Sequence, residues 1–331
     1  MIVTVTPNPS IDRTLNVPAL RRGEVVRATA TSSEAGGKGI NVARSLTTMG
    51  VRAAAIAPAS AASRAVLDAL IGASVSLRTV PIDGDIRVNL SVVEPDGTVT
   101  KINEPGPTLE RAAAARLIDN VVAAALEVMA LAGLTEPLDG SAPVWAGDGT
   151  HWLVGCGSLS PGLPDTFYAE LAGRMPDDVR IAIDADRGAL RSAIGPRVGL
   201  IKPNRVELEE LVGHPLDTLG AVVDAAHELR AAGVERILVS LGPDGAVAVD
   251  AAGACHAEGR IDDIANPVGA GDALLAGFLA GGATAAALPG AIAWSVAACR
   301  APGTRMPVVT QRDTAAVTVR SAIDRSRILA R

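Results

Sequence analysis

The stretch Ala265-Asn-Pro-Val-Gly-Ala-Gly-Asp272 runs directly into the apolar segment Ala273-Leu-Leu-Ala-Gly-Phe278. A Gly-Ala-Gly turn can point successive backbone N–H groups at one position, and a helix that starts there adds the positive end of its dipole. The turn Gly269-Ala270-Gly271 therefore predicts an anion hole. Asp272 beside it is a candidate base for an alcohol that attacks a phosphoryl group, although an ordinary acidic residue of a helix start explains the same carboxylate.

The composition indicates a globular protein with a large core. The chain has 331 residues, of which 48% are hydrophobic, and this length permits one large α/β domain or two domains. Its net charge of -6 is spread without long runs of one sign, so the sequence lacks the basic surface of a nucleic-acid or anionic-membrane binder. We therefore expect neither nucleic acid nor a membrane as a partner.

The cysteines and the distribution of apolar residues set the expected compartment. Cys156, Cys255 and Cys299 are odd in number and widely spaced, which favours reduced thiols over disulfides or a metal site. The strand-like Ile2–Val5 follows the first residue, and no uninterrupted apolar run reaches the length of a membrane span. These patterns predict a cytoplasmic protein.

Apolar β-branched runs of strand length alternate with Ala- and Leu-rich stretches along most of the chain. This alternation is typical of an α/β fold, in which a parallel sheet carries helices on both faces. The predicted strands are 2–5, 53–57, 153–155, 181–184, 200–202 and 237–241. The predicted helices are 40–49, 109–132, 206–212, 219–232, 273–279 and 285–299.

Two segments, about 12–34 and 86–103, interrupt this alternation. The second contains two alternating runs around the turn Glu94-Pro-Asp-Gly97, which predicts a β-hairpin. Strands inserted between β/α units do not easily join the interior of a parallel sheet, so we expect a small β lobe over one end of the sheet, acting as a lid. A third irregular stretch, 134–150, is rich in Gly and Pro and is predicted to be a surface loop.

Lysine is rare in this chain, because 27 of its 30 basic residues are arginines. Lys38, Lys101 and Lys202 all lie in segments rich in turn residues and hydrogen-bonding groups. A compact ammonium group can reach a phosphate oxygen where the arginine fork does not fit, so each lysine is a candidate phosphate ligand. A solvated surface lysine is the alternative for each of them.

Five motifs then resemble, in order, those of the ribokinase-like (PfkB) carbohydrate kinases. The two signatures are Gly36-Gly-Lys-Gly-Ile-Asn-Val-Ala-Arg44 and Asn266-Pro-Val-Gly-Ala-Gly-Asp272. The resemblance implies a single domain over residues 1–331, built as a three-layer αβα sandwich with a central, mostly parallel sheet and a small β-sheet lid. The motifs between the signatures are Gly157-Ser-Leu-Ser-Pro-Gly162, Lys202-Pro-Asn-Arg-Val-Glu207 and Ser240-Leu-Gly-Pro-Asp-Gly245.

The resemblance assigns one group of residues to the sugar. Asp12 accepts hydrogen bonds from sugar hydroxyls, although an Asx turn explains the same residue. The glycines of the first signature let the sugar approach the backbone, and Asn41 offers both a donor and an acceptor. The residues assigned to the sugar ring are Asp12, Gly36, Gly37, Asn41 and Ser158.

A phosphate on the sugar requires cationic partners, and the resemblance supplies four. Lys38 lies in the first signature, while Arg87 and Lys101 lie on the predicted hairpin and Arg27 in the other lid segment. Solvated charges that protect a sheet edge are the alternative for Arg87 and Lys101.

A second group is implied for ATP and Mg²⁺. Lys202 meets a phosphate, and Asn204 and Glu207 carry oxygen atoms suited to hydrated Mg²⁺, although their spacing also fits a helix capping box. Ser240, Gly242 and Gly245 resemble the nucleotide loop of the family, and a plain tight turn is the alternative.

The implied activity is ATP- and Mg²⁺-dependent phosphorylation of a ketohexose phosphate. The opening Thr6-Pro-Asn-Pro-Ser-Ile-Asp-Arg-Thr14 and Lys38 are most similar to 1-phosphofructokinases, which convert fructose 1-phosphate to fructose 1,6-bisphosphate. Tagatose 6-phosphate and fructose 6-phosphate are alternative substrates, and a catalytically silent sugar-phosphate-binding regulator is an alternative of another class.

The segment 58–63 and Ile86 depart from the family pattern near the sugar. Exposed strand edges of the lid invite a homodimer.

Overall fold

The computed structural model describes residues 1–134, 150–320 and 322–330. The loop predicted at 134–150 falls almost entirely on residues outside these ranges. The described strands are β1 (Ile2–Val5), β2 (Ser10–Asn16), β3 (Ala30–Gly36), β4 (Ala53–Ala59), β5 (Ser76–Pro81), β6 (Arg87–Val93), β7 (Val99–Asn103), β8 (His151–Cys156), β9 (Val179–Asp184), β10 (Leu200–Ile201), β11 (Arg236–Ser240), β12 (Ala246–Asp250), β13 (Gly253–Gly259) and β14 (Val317–Val319). The described helices are α1 (Lys38–Thr48), α2 (Ala61–Ile71), α3 (Arg111–Leu134), α4 (Phe167–Arg174), α5 (Arg187–Ala193), α6 (Arg205–Val212), α7 (Leu219–Ala231), α8 (Ala270–Ala280), α9 (Leu288–Arg300) and α10 (Gln311–Ala315).

The larger sheet has the strand order β14-β13-β12-β11-β10-β9-β8-β1-β4-β5. Strands from β11 through β5 run parallel to their neighbours, whereas β12, β13 and β14 are added in antiparallel pairs at one edge. All six strands predicted from apolar runs belong to the parallel part. The predicted α/β class with a mostly parallel sheet is confirmed.

Two apolar clusters show that this sheet is covered on both faces. Alternate residues of β1 divide between them, because Val3 and Val5 pack with one cluster and Ile2 packs with the other. The first cluster includes side chains of α3 to α7, and the second includes side chains of α1, α2, α8 and α9. This is the predicted three-layer αβα arrangement, and it accounts for strands such as β4 that are buried over their whole length.

The smaller sheet is the predicted lid, with the strand order β3-β2-β6-β7. Strands β2 and β3 come from the first interrupting segment, and the hairpin β6–β7 comes from the second. The turn between β6 and β7 is closed by Glu94, whose backbone N–H donates to the carbonyl of Thr98 at 3.0 Å, and Gly97 takes the φ of 87° that the turn requires. Strands β2 and β6 pair in parallel and join the two segments into one sheet.

The candidate site lies where the parallel strands end. Asp184 is the last residue of β9, Lys202 follows β10 and Ser240 is the last residue of β11. Open α/β sheets bind ligands outside the carboxyl ends of their strands, so the fold brings these polar residues to the expected edge. Among the described residues, the structure contains no helix that is both long and apolar enough to cross a membrane.

Candidate active site

A buried carboxylate holds two of the three lysines of the chain at the edge of the sheet. Asp184, which is 0% exposed, accepts a hydrogen bond from Lys38 Nζ at 2.9 Å through its Oδ1. Its Oδ2 lies 3.0 Å from Lys202 Nζ in a second ion pair. The two ammonium groups around this carboxylate place positive charge at the edge of the sheet, which suits an incoming phosphate.

The titration of this cluster follows from its burial and its charges. Burial alone would raise the pKa of Asp184, but the ammonium groups of Lys202 and Lys38 outweigh it and hold that pKa below the usual value. Burial opposes the charged form of Lys38 as well, but the carboxylate of Asp184 outweighs it and raises the pKa of Lys38. Both groups therefore stay charged near neutral pH.

Asp272 lies in the first turn of α8 and points into the same cluster. The residue is 8% exposed, and its Oδ2 accepts a hydrogen bond from Asn41 Nδ2 at 2.9 Å. Burial, followed by the nearby negative charge of Asp184, raises the pKa of Asp272 to about 6. A carboxylate with this pKa is ionised at neutral pH and is a stronger base than a solvated aspartate, so it is suited to general-base catalysis.

The Gly-Ala-Gly turn leads directly into helix α8. Gly269 takes a φ of 86° in the left-handed region, and α8 begins at the next residue, Ala270. A Cβ built on Gly271 would lie 3.8 Å from Lys202 Nζ, so the ammonium group faces the start of this helix. The positive end of the helix dipole and a buried lysine thus converge beside Asp272.

The segment predicted to bind Mg²⁺ forms the helix capping box that the sequence left open as an alternative. The backbone N–H of Glu207 donates to Asn204 Oδ1 at 2.9 Å, and the backbone N–H of Asn204 donates to Glu207 Oε2 at 2.8 Å. Burial raises the pKa of Glu207. Within the described ranges, no three His, Cys, Asp or Glu side chains cluster closely enough to hold a metal ion by themselves.

The predicted nucleotide loop lies beside this capping box. Ser240 forms a parallel bridge with Asn204, and its backbone N–H donates to the carbonyl of Pro203 at 3.1 Å. Gly242 and Gly245 take positive φ values of 60° and 80°. A Cβ on Gly245 would collide with the carbonyl of Ala257, whereas a Cβ on Gly242 would meet open space, so only the second glycine of the loop has a packing reason.

Two of the predicted sugar residues, Asp12 and Gly36, lie on strands of the lid. The Oδ1 of Asp12 accepts hydrogen bonds from Ser10 Oγ at 2.8 Å and from Asn89 Nδ2 at 2.9 Å. The residue lies inside β2 rather than in a turn, which removes the Asx turn as its explanation. Gly36 has a packing reason of its own, because a Cβ there would lie 2.3 Å from Asp12 Oδ2.

One more residue of the first signature and one loop residue complete this side. Gly37 takes a φ of 118°, and a Cβ on it would lie 2.5 Å from Thr6 Cγ2. Glycine is therefore required there by the close approach of the chain itself. Ser158 follows β8 at the carboxyl edge of the sheet and is half-buried.

The four predicted phosphate ligands are not all brought together. Arg87 is half-buried in the first position of β6, and its Nε is buried without a hydrogen-bond partner among the described residues. Burial lowers the pKa of Arg87, against the opposing effect of the carboxylates of Asp12 and Asp186. Lys38 lies in the buried cluster with Asp184, whereas Lys101 and Arg27 are exposed on the lid.

The segment 58–63, which departs from the family pattern, supports the lid. Ser60 caps α2, and the hydroxyls of Ser60 and Ser63 donate to Asp85 Oδ1 at 3.0 and 3.1 Å. The backbone N–H of Ile86 donates to Ser63 Oγ at 3.2 Å. The segment 58–63 and Ile86, which both depart from the family pattern, are thus in contact at the start of β6, directly before Arg87.

The sequence reasoning did not identify Asp184. Its position was available, because an acidic residue that ends a predicted buried strand lies at the ligand-binding edge of a parallel sheet. Its partner Lys38 is 146 residues away, so only the fold shows that the two side chains form an ion pair.

Comparisons with known proteins agree with this site. Residues 5–305 match the model of the family described as "pfkB family carbohydrate kinase". A 1-phosphofructokinase of Rhodobacter capsulatus is 35% identical over 282 residues, which cover 84% of this chain and 82% of that protein. A 1-phosphofructokinase of Xanthomonas campestris is 34% identical over 285 residues, with coverage of 84% and 83%.

A solved structure supports the same relationship. The crystal structure of phosphofructokinase-2 from Escherichia coli in complex with potassium has a TM-score of 0.79 and 30% identity, and the match covers 95% of this chain and 96% of that chain. The family match begins in β1 and extends past α9, so it includes Lys38, Asp184 and Asp272 of the buried cluster. With its sandwich fold and its lid, the chain belongs to the pfkB family of carbohydrate kinases and is a sugar kinase, a phosphotransferase with an alcohol group as acceptor.

Proposed function

We propose that this kinase transfers a phosphoryl group from ATP to fructose 1-phosphate and forms fructose 1,6-bisphosphate. The observation that carries the proposal is the buried Asp272, whose pKa is raised to about 6 at the start of α8, near Lys38 and Lys202. The choice of sugar rests on the 1-phosphofructokinases that are 34% and 35% identical to this chain. Tagatose 6-phosphate and fructose 6-phosphate are the alternative substrates.

Asp272 acts as the general base. It takes the proton of the attacking C6 hydroxyl, while the hydrogen bond from Asn41, 2.9 Å long, holds its carboxylate in place. The N–H groups of Gly269, Ala270 and Gly271 and the ammonium group of Lys202 stabilise the charge that develops on the transferred phosphoryl group. Lys38, paired with Asp184 at 2.9 Å, contributes a positive charge for the phosphate already on the sugar.

The lid side recognises the substrate. Asp12 accepts hydrogen bonds from sugar hydroxyls, with support from Asn41 and Ser158. Arg87 pairs with the phosphate of the sugar, and its unpartnered, buried Nε supports this role because a guanidinium presents a fork of donors to a phosphate. Lys101 and Arg27 add exposed positive charges from the same lid.

The nucleotide occupies the opposite side. Ser240, Gly242 and Gly245 form the loop against which the adenosine and phosphates lie, and the open space at Gly242 supports a close approach of the nucleotide. When bound, Mg²⁺ supplies charge neutralisation of the triphosphate. Asn204 and Glu207 would hold it through water, because their side chains also form the capping box.

An ADP-release assay with four sugars tests the proposal. We expect the highest kcat/KM with fructose 1-phosphate, lower values with tagatose 6-phosphate and fructose 6-phosphate, and the lowest with unphosphorylated fructose. A higher value with either alternative sugar phosphate would transfer the assignment to that sugar. Calorimetric binding of a sugar phosphate without ADP release from any of the four would instead favour the silent regulator.

The assembly is also a proposal. We infer one domain over residues 1–331 with the lid inserted in it, and a homodimer formed through the lid. The exposed apolar side chains of Val99 and Ile102 on β7, the edge strand of the lid, support this arrangement. Sedimentation velocity tests it: a dimer that the double substitution Val99→Lys and Ile102→Lys converts to a monomer is expected, and a monomeric parent protein contradicts it.

A further inference from the structure

Residues 324–330 lie against the start of α7 and against the predicted nucleotide loop, and we call them the C-terminal strap. The backbone N–H of Leu329 donates to the carbonyl of Asp217 at 2.9 Å, and Ile328 forms an antiparallel bridge with Thr218. Leu329 is buried and packs with the apolar cluster of α3 to α7. The strap is therefore docked on the chain that enters α7.

The strap binds a residue of the predicted nucleotide loop. Asp244 accepts a hydrogen bond from Arg327 Nη2 at 2.7 Å through its Oδ1, and another from the backbone N–H of Ala330 at 2.7 Å through its Oδ2. Asp244 is only 7% exposed. Hydrogen bonds to an ionised partner are roughly twice as strong as neutral ones, so the strap holds this part of the loop firmly.

The loop is held from its other side as well. His256, which is 0% exposed on β13, donates from Nε2 to the carbonyl of Asp244 at 2.9 Å, because a carbonyl oxygen can only accept. Arg327 also pairs through Nη1 with Glu258 of the same strand. Both the side chain and the backbone of Asp244 are thus fixed between β13 and the strap.

The strap also reaches the second segment proposed to bind the nucleotide. Arg205 Nη1 donates to the carbonyl of Ala330 at 2.9 Å, and Arg205 directly follows Asn204 in the capping box. One short segment therefore contacts both the loop that ends in Gly245 and the start of α6. Its contacts fix the spacing between these two parts of the proposed nucleotide site.

We propose that Asp244 is a positioning residue for ATP and that the strap, through Arg327, holds it in place. This inference rests on the proposed function, because it requires residues 240–245 to bind the nucleotide. The carboxylate of Asp244 is occupied by the strap, so the residue acts through the backbone of the loop rather than by touching ATP. Loss of the tie lets the loop shift at Gly242 and weakens nucleotide contacts, while the sugar side under the lid is unaffected.

The test compares two arginines of the strap. Arg327→Gln removes the tie to Asp244, whereas Arg325→Gln is the matched control, because Arg325 pairs at 2.7 Å with the exposed Asp224. We expect Arg327→Gln and Asp244→Asn to raise the calorimetric Kd for ADP and the KM for ATP about tenfold, the typical effect of losing one charge-assisted hydrogen bond. The KM for the sugar phosphate should change less than about twofold, and Arg325→Gln should change none of these values.

Further variants exclude a general loss of structure. Arg327→Lys keeps a positive donor and should restore nucleotide affinity to within about threefold of the parent protein. If Arg327→Gln does not fold, Asp244→Asn and Arg327→Lys decide the question. An unchanged Kd for ADP in Asp244→Asn, or equal losses for nucleotide and sugar, would overturn the positioning role alone. A parent protein that binds no nucleotide would overturn the proposed function as well.

Discussion

The buried cluster of Lys38, Asp184, Lys202 and Asp272, which we call the transfer centre, differs from the lid in how completely its charged groups are already paired. At the transfer centre, Asp184 joins Lys38 and Lys202, and Asn41 holds Asp272 at 2.9 Å. In the lid, Arg87 has a buried Nε without a hydrogen-bond partner in the described part of the chain. The charged groups of the first region are already paired with one another, whereas the second region holds a buried hydrogen-bond donor that has no partner among the described residues.

This difference separates the chemical step from the choice of substrate. Groups that are already oriented need little reorganisation in the transition state, so the buried cluster suits the phosphoryl transfer common to the family. A donor that is buried and unpaired costs free energy until a ligand satisfies it, so Arg87 suits recognition of a particular anion. Substitutions at the two ends should therefore change different kinetic constants.

The largest expected effect is at the base. Asp272→Asn keeps an oxygen that can accept from Asn41 but removes the basic carboxylate, so kcat should fall about 10³- to 10⁴-fold with little change in the KM for the sugar phosphate. Steady-state kinetics measure both constants. Asp262→Asn, a change at an exposed ion pair before the turn, is the control and should retain normal kcat. Near-normal kcat in Asp272→Asn would refute the assignment of the base.

The next effect concerns the stability of the charge cluster. Asp184→Asn leaves the buried ammonium group of Lys202 without its counter-ion, and we expect the free energy of unfolding to fall by about 3–5 kcal/mol. Urea unfolding measures this change. Asp177→Asn, at an exposed position before the opposite end of β9, should change stability by less than about 0.5 kcal/mol. Equal stabilities of the two variants would mean that the cluster does not depend on Asp184.

A smaller effect is expected at the lid. Arg87→Ala removes the proposed partner of the sugar phosphate, so its KM should rise about 10²-fold while the KM for ATP changes less than about twofold. Arg13→Ala removes an exposed charge from the neighbouring strand β2 and serves as the matched control. A larger rise for ATP than for the sugar would remove Arg87 from the phosphate site.

The smallest effect is the pH dependence of the transfer step. Because the pKa of Asp272 is raised from 3.8 to about 6, the base is protonated and inactive below that value, where a solvated aspartate would still be ionised. The kcat/KM for the sugar phosphate should fall about tenfold for each pH unit below 6, because this constant reports groups of the free enzyme. A kcat/KM that stays constant down to about pH 4.5 would show that Asp272 is not the titrating base.

The predictable parts of the fold are those with strong local patterns. Strand β9 is an apolar run bounded by polar residues, and the hairpin β6–β7 has clear alternation around its turn. Strand β13, Gly-Ala-Cys-His-Ala-Glu-Gly, has no β-branched residue and was not predicted, since its pairing with β12 and β14 defines it. The sequence does not predict helix α5, because its seven residues are too few to show a helical period.

The candidate site divides in the same way. Asp272 and Lys202 lie in the ordered motifs, and the family resemblance assigns Arg87 on the lid hairpin. The sequence placed Lys38 with the phosphate of the sugar, and that role stays a prediction, but the structure adds its ion pair with Asp184. The tie between Asp244 and Arg327 joins residues 83 positions apart, and no local pattern indicates it.

By itself, the sequence determined the alternation of strands and helices, the lid segments and the glycine turn before Asp272, because periodicity and turn chemistry are local properties. Tertiary structure alone decided which charges meet, since Asp272 and Asn41 are 231 residues apart and an ion pair or a pKa depends on distance and burial. The turn predicts a place where an anion can bind. The fold supplies the burial and the neighbouring charge of Asp184 that raise the pKa of Asp272, and its proposed role as a base rests on them.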